Sequence, residues 1–217
     1  MKPYDKGDQL YSDGKFSEAA NVFRECIDLG IDLIDSMNYL GCCEMQLGNY
    51  EAAHHWLDKA ISLEPVWERL YTNKSRIYMK QGNDLKAKEL LDRSLELHIE
   101  NEDTLYYLGL FHERQGDLDR AREAYKKSLE IDPNQSGTLL NYGVVEYRLD
   151  HKEEAKSLFE RVLTLDSKES LAYWNLSQIY IDSNRYTEAI IYLNQYIELN
   201  EQDREAIELR KELEAPR

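Results

Sequence analysis

His54 and His55 stand side by side in LGNYEAAHHWLDKAISLEP, residues 47–65, and Asp58 follows four residues after His54. On a helix that spacing brings His54 and Asp58 to one face, the start of a metal site. No second histidine or cysteine pair stands nearby at ligand spacing. The cysteines are three, Cys26, Cys42 and Cys43, with no CxxC. An odd count with an adjacent pair is not a disulfide framework and fits a reducing compartment. Catalytic signatures are missing as well: no HExxH, GxSxG, GxxxxGK[ST] or strand-to-helix GxGxxG occurs. Acidic pairs are everywhere, but in so acidic a chain they read as solvated helix faces. The sequence therefore points to no catalytic residues, no metal and no cofactor.

The elements that would carry these residues follow from composition and period. The chain has 217 residues, 42% of them apolar, with only 4 Pro and 10 Gly. That balance favours helices over sheet or disorder. The net charge of -15 argues against nucleic acid and anionic membranes as partners. No run reaches the roughly 18 apolar residues of a membrane span. The opening MKPYDKGDQL lacks the apolar stretch of a signal peptide. The expectation is a cytoplasmic protein.

A fixed step of 34 residues organises the chain. It connects Gly14, Gly48, Gly82, Gly116, Asp150 and Asn184, all types that tolerate the positive φ of a tight turn. Five residues later the same step meets alanine in six of six: Ala19, Ala53, Ala87, Ala121, Ala155 and Ala189. Four further on come Phe23, Leu57, Leu91, Tyr125, Phe159 and Leu193, and then Ile27, Ile61, Leu95, Leu129, Leu163 and Ile197. Seven residues before each turn stand Gly7, Gly41, Ser75, Gly109, Gly143 and Ser177. Apolar spacing of four on both sides of a turn describes a helical hairpin. Small residues let its two helices approach closely. One hairpin cannot bury its apolar face alone, so stacked hairpins share a core.

The pattern resembles the tetratricopeptide repeat (TPR). Its clearest copy is TLYYLGLFHERQGDLDRAREAYKKSLEIDP, with Leu105, Leu108, Gly109, Gly116, Ala121, Tyr125, Leu129 and Pro133 at the family's columns. The closing proline recurs only at Pro65, and His112 replaces a usual tyrosine. The resemblance implies an all-α solenoid, a right-handed superhelix of six hairpins over 1–33, 34–67, 68–101, 102–135, 136–169 and 170–203. Residues 204–217 read as a C-terminal capping helix. In this frame His54 lies on the second helix of copy two, facing outward with Asp58. His98 and His151 read as solvated, and Cys26 and Cys43 as small packing residues.

In this family the first helix of each hairpin lines a concave groove. With the turn residue numbered 15, the inward columns are 2, 5, 6, 9, 12 and 13. Column 13 reads Ser12, Gln46, Lys80, Arg114, Arg148 and Asp182, a basic stripe over three copies. Arg69 and Arg76 join it, so five inward cations in copies three to five meet two carboxylates, Asp103 and Glu113. Column 6 holds Asn73, Asn141 and Asn175, part of the asparagine ladder with which some members hold extended peptides. Tyr106, Tyr107, Tyr147 and Trp174 supply aromatic anchors, Tyr4 and Tyr11 stand at the entrance, and Gln178 completes the face. Around Asn73 stand Asn38, Cys42, Asp103 and Tyr107, and around Asn141 stand Tyr106, Leu110, Leu171 and Asn175. Neither set matches the family's carboxylate clamp, so chaperone tails ending in EEVD should not bind. The expected function is a non-catalytic scaffold or adaptor whose groove takes a protein or peptide with acidic and aromatic residues. Alternatives are a regulator or assembly chaperone wrapping a folded partner, or a homo-oligomer formed through the ends of the stack.

Overall fold

The structure is a computed structural model describing residues 2–215. Met1, Pro216 and Arg217, assigned from sequence to the first repeat and to the cap, lie outside the described residues.

The described residues form thirteen helices and no strand. They are α1 (Pro3–Ser12), α2 (Phe16–Asp28), α3 (Leu33–Gln46), α4 (Tyr50–Leu63), α5 (Glu68–Lys80), α6 (Asp84–Leu97) and α7 (Glu102–Arg114). There follow α8 (Leu118–Ile131), α9 (Ser136–Arg148), α10 (Lys152–Leu165), α11 (Ser170–Asp182), α12 (Tyr186–Leu199) and α13 (Arg204–Glu214). The chain divides into two compact units, Met1–Phe111 and His112–Arg217.

The turn inside each hairpin has one mechanism. Gly14, Gly48, Gly82, Gly116, Asp150 and Asn184 all have φ between 56° and 80°. The amide after each reaches back to the carbonyl five residues earlier, as Lys15 does to Leu10 at 2.9 Å and Arg185 to Tyr180 at 2.9 Å. These bonds satisfy the carbonyls that a helix end leaves open. The next helix starts at once, and Asn83, Asp117 and Asp203 cap α6, α8 and α13 with side-chain oxygens.

Packing follows the columns. All six column alanines are fully buried, as are Phe23, Leu57, Leu91, Tyr125, Phe159 and Leu193. The small residues opposite leave them room. A Cβ added at Gly143 would lie 2.6 Å from the Phe159 ring, and one at Gly41 would lie 2.8 Å from Leu57 and 3.3 Å from the Ala53 carbonyl oxygen. In the first unit, one apolar cluster joins Leu57, Leu70 and Ile77, and another joins Phe23, Leu40 and Cys43. In the second unit, Leu139, Phe159, Val162 and Leu176 form the cluster.

Two histidines depart from the sequence reading. His54 does not sit with Asp58. Its ring lies 4.5 Å from Tyr78, with Nε2 3.0 Å from Gln81 Oε1, while Asp58 pairs with Lys74. The next hairpin packs against this face of α4, so His54 points into the seam between hairpins. His151 is not merely solvated either: Nδ1 lies 2.5 Å from the buried Glu146 carboxylate.

Candidate functional site

In the first unit, the first helices of the hairpins bound a recess of about 250 Å³. Four expected residues line it: Arg69, Asn73, Arg76 and Tyr107. Arg69 and Arg76 lie seven residues apart on one face of α5. Arg76 Nη1 donates to Asn73 Oδ1 at 2.8 Å, and Asn73 Nδ2 donates to Asn38 Oδ1 at 2.8 Å. The guanidinium lies over the Tyr107 ring, 4.8 Å from its centroid.

Burial, with the neighbouring Cys42, pushes the Tyr11 phenol up to about 12 against the pull of Arg76. Burial likewise pushes Tyr107 up to about 12, and it raises the Cys42 thiol. The recess therefore keeps neutral phenols and a neutral thiol at physiological pH beside a permanent cation.

Tyr11, Asn38, Tyr39, Cys42, Thr72 and Asp103 also line the recess. They occupy the inward columns 2, 5, 6, 9 and 12, where the sequence reading already places Tyr11 at the entrance, Asp103 among the inward charges, and Asn38 and Cys42 beside Asn73. Lys80 is exposed at the end of α5, and the Tyr106 ring lies 5.0 Å from Tyr107.

In the second unit, several of the expected residues are engaged with neighbouring side chains or backbone. Arg148 donates to Glu113 at 3.1 Å, so this cation of the basic stripe ties α9 to α7. Tyr147 donates its hydroxyl to Asp182 at 2.7 Å, and Lys152 lies 3.4 Å from the same carboxylate. Asn175 Nδ2 donates to the Leu171 carbonyl at 2.7 Å, within its own helix. The Trp174 and Tyr196 rings lie 5.1 Å apart. Gln178 holds a buried Nε2 without a hydrogen-bond partner among the described residues. Asn141 is partly buried on α9, and Arg114 is exposed at the end of α7. Pairs such as Arg148–Glu113 join residues 35 apart, one period plus one, a signal that column-by-column reading does not weigh.

Among the described residues no three His, Cys, Asp or Glu side chains converge as metal ligands, and no helix is long and apolar enough to cross a membrane.

Hairpins of this period, turn and core define a tetratricopeptide-repeat protein, and residues 34–65 match the tetratricopeptide repeat itself. Residues 78–212 match the cilia and flagella-associated protein 70 middle TPR-like domain, and the chain belongs to that family. Solved structures share the fold at low identity. The APC/C hetero-tetramer Cut9-Hcn1 aligns at a TM-score of 0.86 and 18% identity over 97% of this chain, which spans 42% of that one. Pseudomonas aeruginosa pilF gives a TM-score of 0.77 and 17% identity over 97% of this chain and 96% of its own. YrrB, described as a TPR protein with an unusual peptide-binding site, gives 0.65 and 20% over 88% and 99%.

Proposed function

We propose that this protein is a non-catalytic, cytoplasmic interaction scaffold. The first-helix faces of its hairpins bind a protein segment that carries acidic and aromatic residues. The supporting observation is chemical: in a chain of net charge -15, these faces carry Arg69, Arg76, Lys80 and Arg114, with Arg148 paired to Glu113, among tyrosines and Trp174. Rigid rings beside arginines are common anchors of recognition surfaces. Repeat stacks present long open faces suited to segments rather than closed pockets for small substrates. YrrB, of the same fold, is described by its peptide-binding site.

The test is affinity purification from the native source with the wild type and the Arg114→Glu/Arg148→Glu variant. A partner lost with the variant, and weakened by salt in the wild type, supports the reading. Partners retained equally by both baits refute charge recognition on these faces. A whole folded partner, rather than a segment, is indicated if no short peptide derived from it competes, and self-association if light scattering gives a dimer mass.

A further inference from the structure

The seams between hairpins treat one column in two ways. Column 11 puts a glutamate on the first helix of copies two and five, Glu44 and Glu146, three periods apart. Both are buried. In the first unit Glu44 is held twice. Asn49 Nδ2 donates to it at 2.8 Å from the turn after α3, and Arg24 reaches it from α2, the second helix of the preceding hairpin. In the second unit His151 takes the place of Asn49, with Nδ1 2.5 Å from the Glu146 carboxylate. The place of Arg24 falls by period to Lys126 on α8, and Lys126 is exposed. Among the described residues no lysine or arginine nitrogen comes within 4.0 Å of the Glu146 carboxylate.

Open space stands where such an arm would lie. A cleft of about 670 Å³ runs between α8 and α9, with Glu146 and Tyr142 on the α9 wall. Its charges balance, Arg120, Arg122 and Lys126 against Asp119, Glu123 and Glu146. Most are already answered along α8: Arg120 by Asp117 at 3.4 Å, Arg122 by Asp119 at 3.6 Å and Glu123 by Lys127 at 2.8 Å. Those are pairs at the surface, which bind their members loosely. Glu146 is the buried carboxylate of the set. Burial, with Glu146 beside it, pushes the Tyr142 phenol up to about 12 against the pull of Arg122, so the wall carries a neutral ring. A buried carboxylate favours a guanidinium over an ammonium. The planar fork gives two parallel hydrogen bonds and sheds water more readily, whereas the compact, strongly hydrated head of Lys126 stays in solvent.

We propose that this cleft receives an arginine side chain of a protein partner, whose guanidinium takes against Glu146 the position that Arg24 takes against Glu44. Glu146 accepts from the guanidinium, Tyr142 walls the aliphatic stem, and Asp119 and Glu123 draw the cation in from the rim. The volume suits one arginine with the residues on either side of it, within the roughly 300–1,000 Å³ of ligand pockets. A net charge of -15 favours the approach of a basic partner. Tyr142 and Glu146 stand in columns 7 and 11, outside the inward columns. The site is therefore separate from the first-helix faces assigned to a segment above and stands whether or not those faces bind.

The experiment follows the His151 ring signal of the full chain by NMR, identified by its loss in His151→Asn. Four probes are titrated: a blocked Gly-Arg-Gly tripeptide, its lysine counterpart, its counterpart with neutral citrulline, and free arginine. The arginine tripeptide should shift the signal along a saturable curve, the lysine one should bind about tenfold more weakly, and the citrulline one should not bind. Glu146→Gln should weaken the arginine tripeptide at least about tenfold. Lys126→Arg should place an arginine in the cleft from within the chain, so it should raise the urea midpoint and shut the tripeptide out. Lys126→Gln, which removes a like charge at the rim, should bind the tripeptide more tightly. All three variants should keep the helical circular dichroism of the parent.

A His151 signal unmoved by the arginine tripeptide, or moved equally by the citrulline one, overturns the site. So does unchanged affinity in Glu146→Gln. A response to free arginine with none to the tripeptide assigns the cleft to a small molecule and overturns the protein partner. Lys126→Arg that binds the tripeptide like the wild type overturns the position given to the guanidinium.

Discussion

The two units run the same column pattern and use its polar positions in opposite ways. In the first, Arg69 and Arg76 line a recess together with Asp103, and Arg76 donates to Asn73 and lies over the Tyr107 ring. In the second, Arg148 is held by Glu113, while Tyr147 and Lys152 converge on Asp182. One face holds its buried cation with an amide and a ring, and the other uses carboxylates to join neighbouring hairpins. The apolar columns hardly differ between the units. A repeat thus fixes where a side chain points, and the partner one period away decides whether it is available to a ligand.

The buried columns should give the largest effects and test whether the units are energetically separate. Leu57→Ala in the first and Phe159→Ala in the second should each cost about 3 kcal/mol or more. Trp56 and Trp67 report on the first unit and Trp174 on the second, so urea unfolding of single-tryptophan variants reads each alone. If Leu57→Ala moves the Trp174 transition as far as that of Trp67, the two units unfold together.

Next come two buried carboxylates of one column. Glu44 and Glu146 are each 3% exposed; Arg24 answers the first and His151 the second. Arg24→Ala or His151→Ala should cost about 2 kcal/mol, because a buried charge loses its partner. Glu44→Gln or Glu146→Gln added to the respective variant should restore most of the loss. Denaturation midpoints that show no recovery would assign the cost to packing instead.

Alkali separates the units by sign. Tyr107 and Tyr147 are both pushed up to about 12, chiefly by burial, but Arg76 opposes the rise at Tyr107 while Asp182 adds to it at Tyr147. A phenol whose folded pKa exceeds its ordinary 10.0 contributes stability that is present below pH 10 and is lost as pH rises through about 12. Melting temperature should fall across that window. Arg76→Gln should raise the Tyr107 titration midpoint, and Asp182→Asn should lower that of Tyr147, both followed by tyrosine ring signals in NMR. Shifts of the same sign would erase the distinction. The smallest effect belongs to Arg148→Ala, under about 1 kcal/mol, since its pair with Glu113 lies near solvent.

The apolar framework was readable from sequence because burial repeats with the period: Ala53 and Ala155 occupy the same environment, so one rule names both. The turn rule held even where glycine is replaced, since Asp150 and Asn184 adopt the positive φ of Gly48. The side-chain pairings were not readable in this way. His54 and Asp58 share one helical turn, yet the packed neighbour takes each separately, His54 by Tyr78 and Gln81 and Asp58 by Lys74. Arg148 and Arg76 look alike in a list of inward cations, and only Glu113 on the preceding hairpin distinguishes them.

The order of packing within each unit bears on how the chain is made. Helices pack on their sequence neighbours or next but one, as α1 on α2 and α3, and α9 on α10 and α11. Native contacts therefore close short loops, which favours rapid folding. No segment emerging late from the ribosome is needed to complete a strand order begun early. A hairpin such as α1–α2 can settle once α3 is out, so the apolar columns of a nascent chain stay uncovered for about one repeat's worth of synthesis at a time.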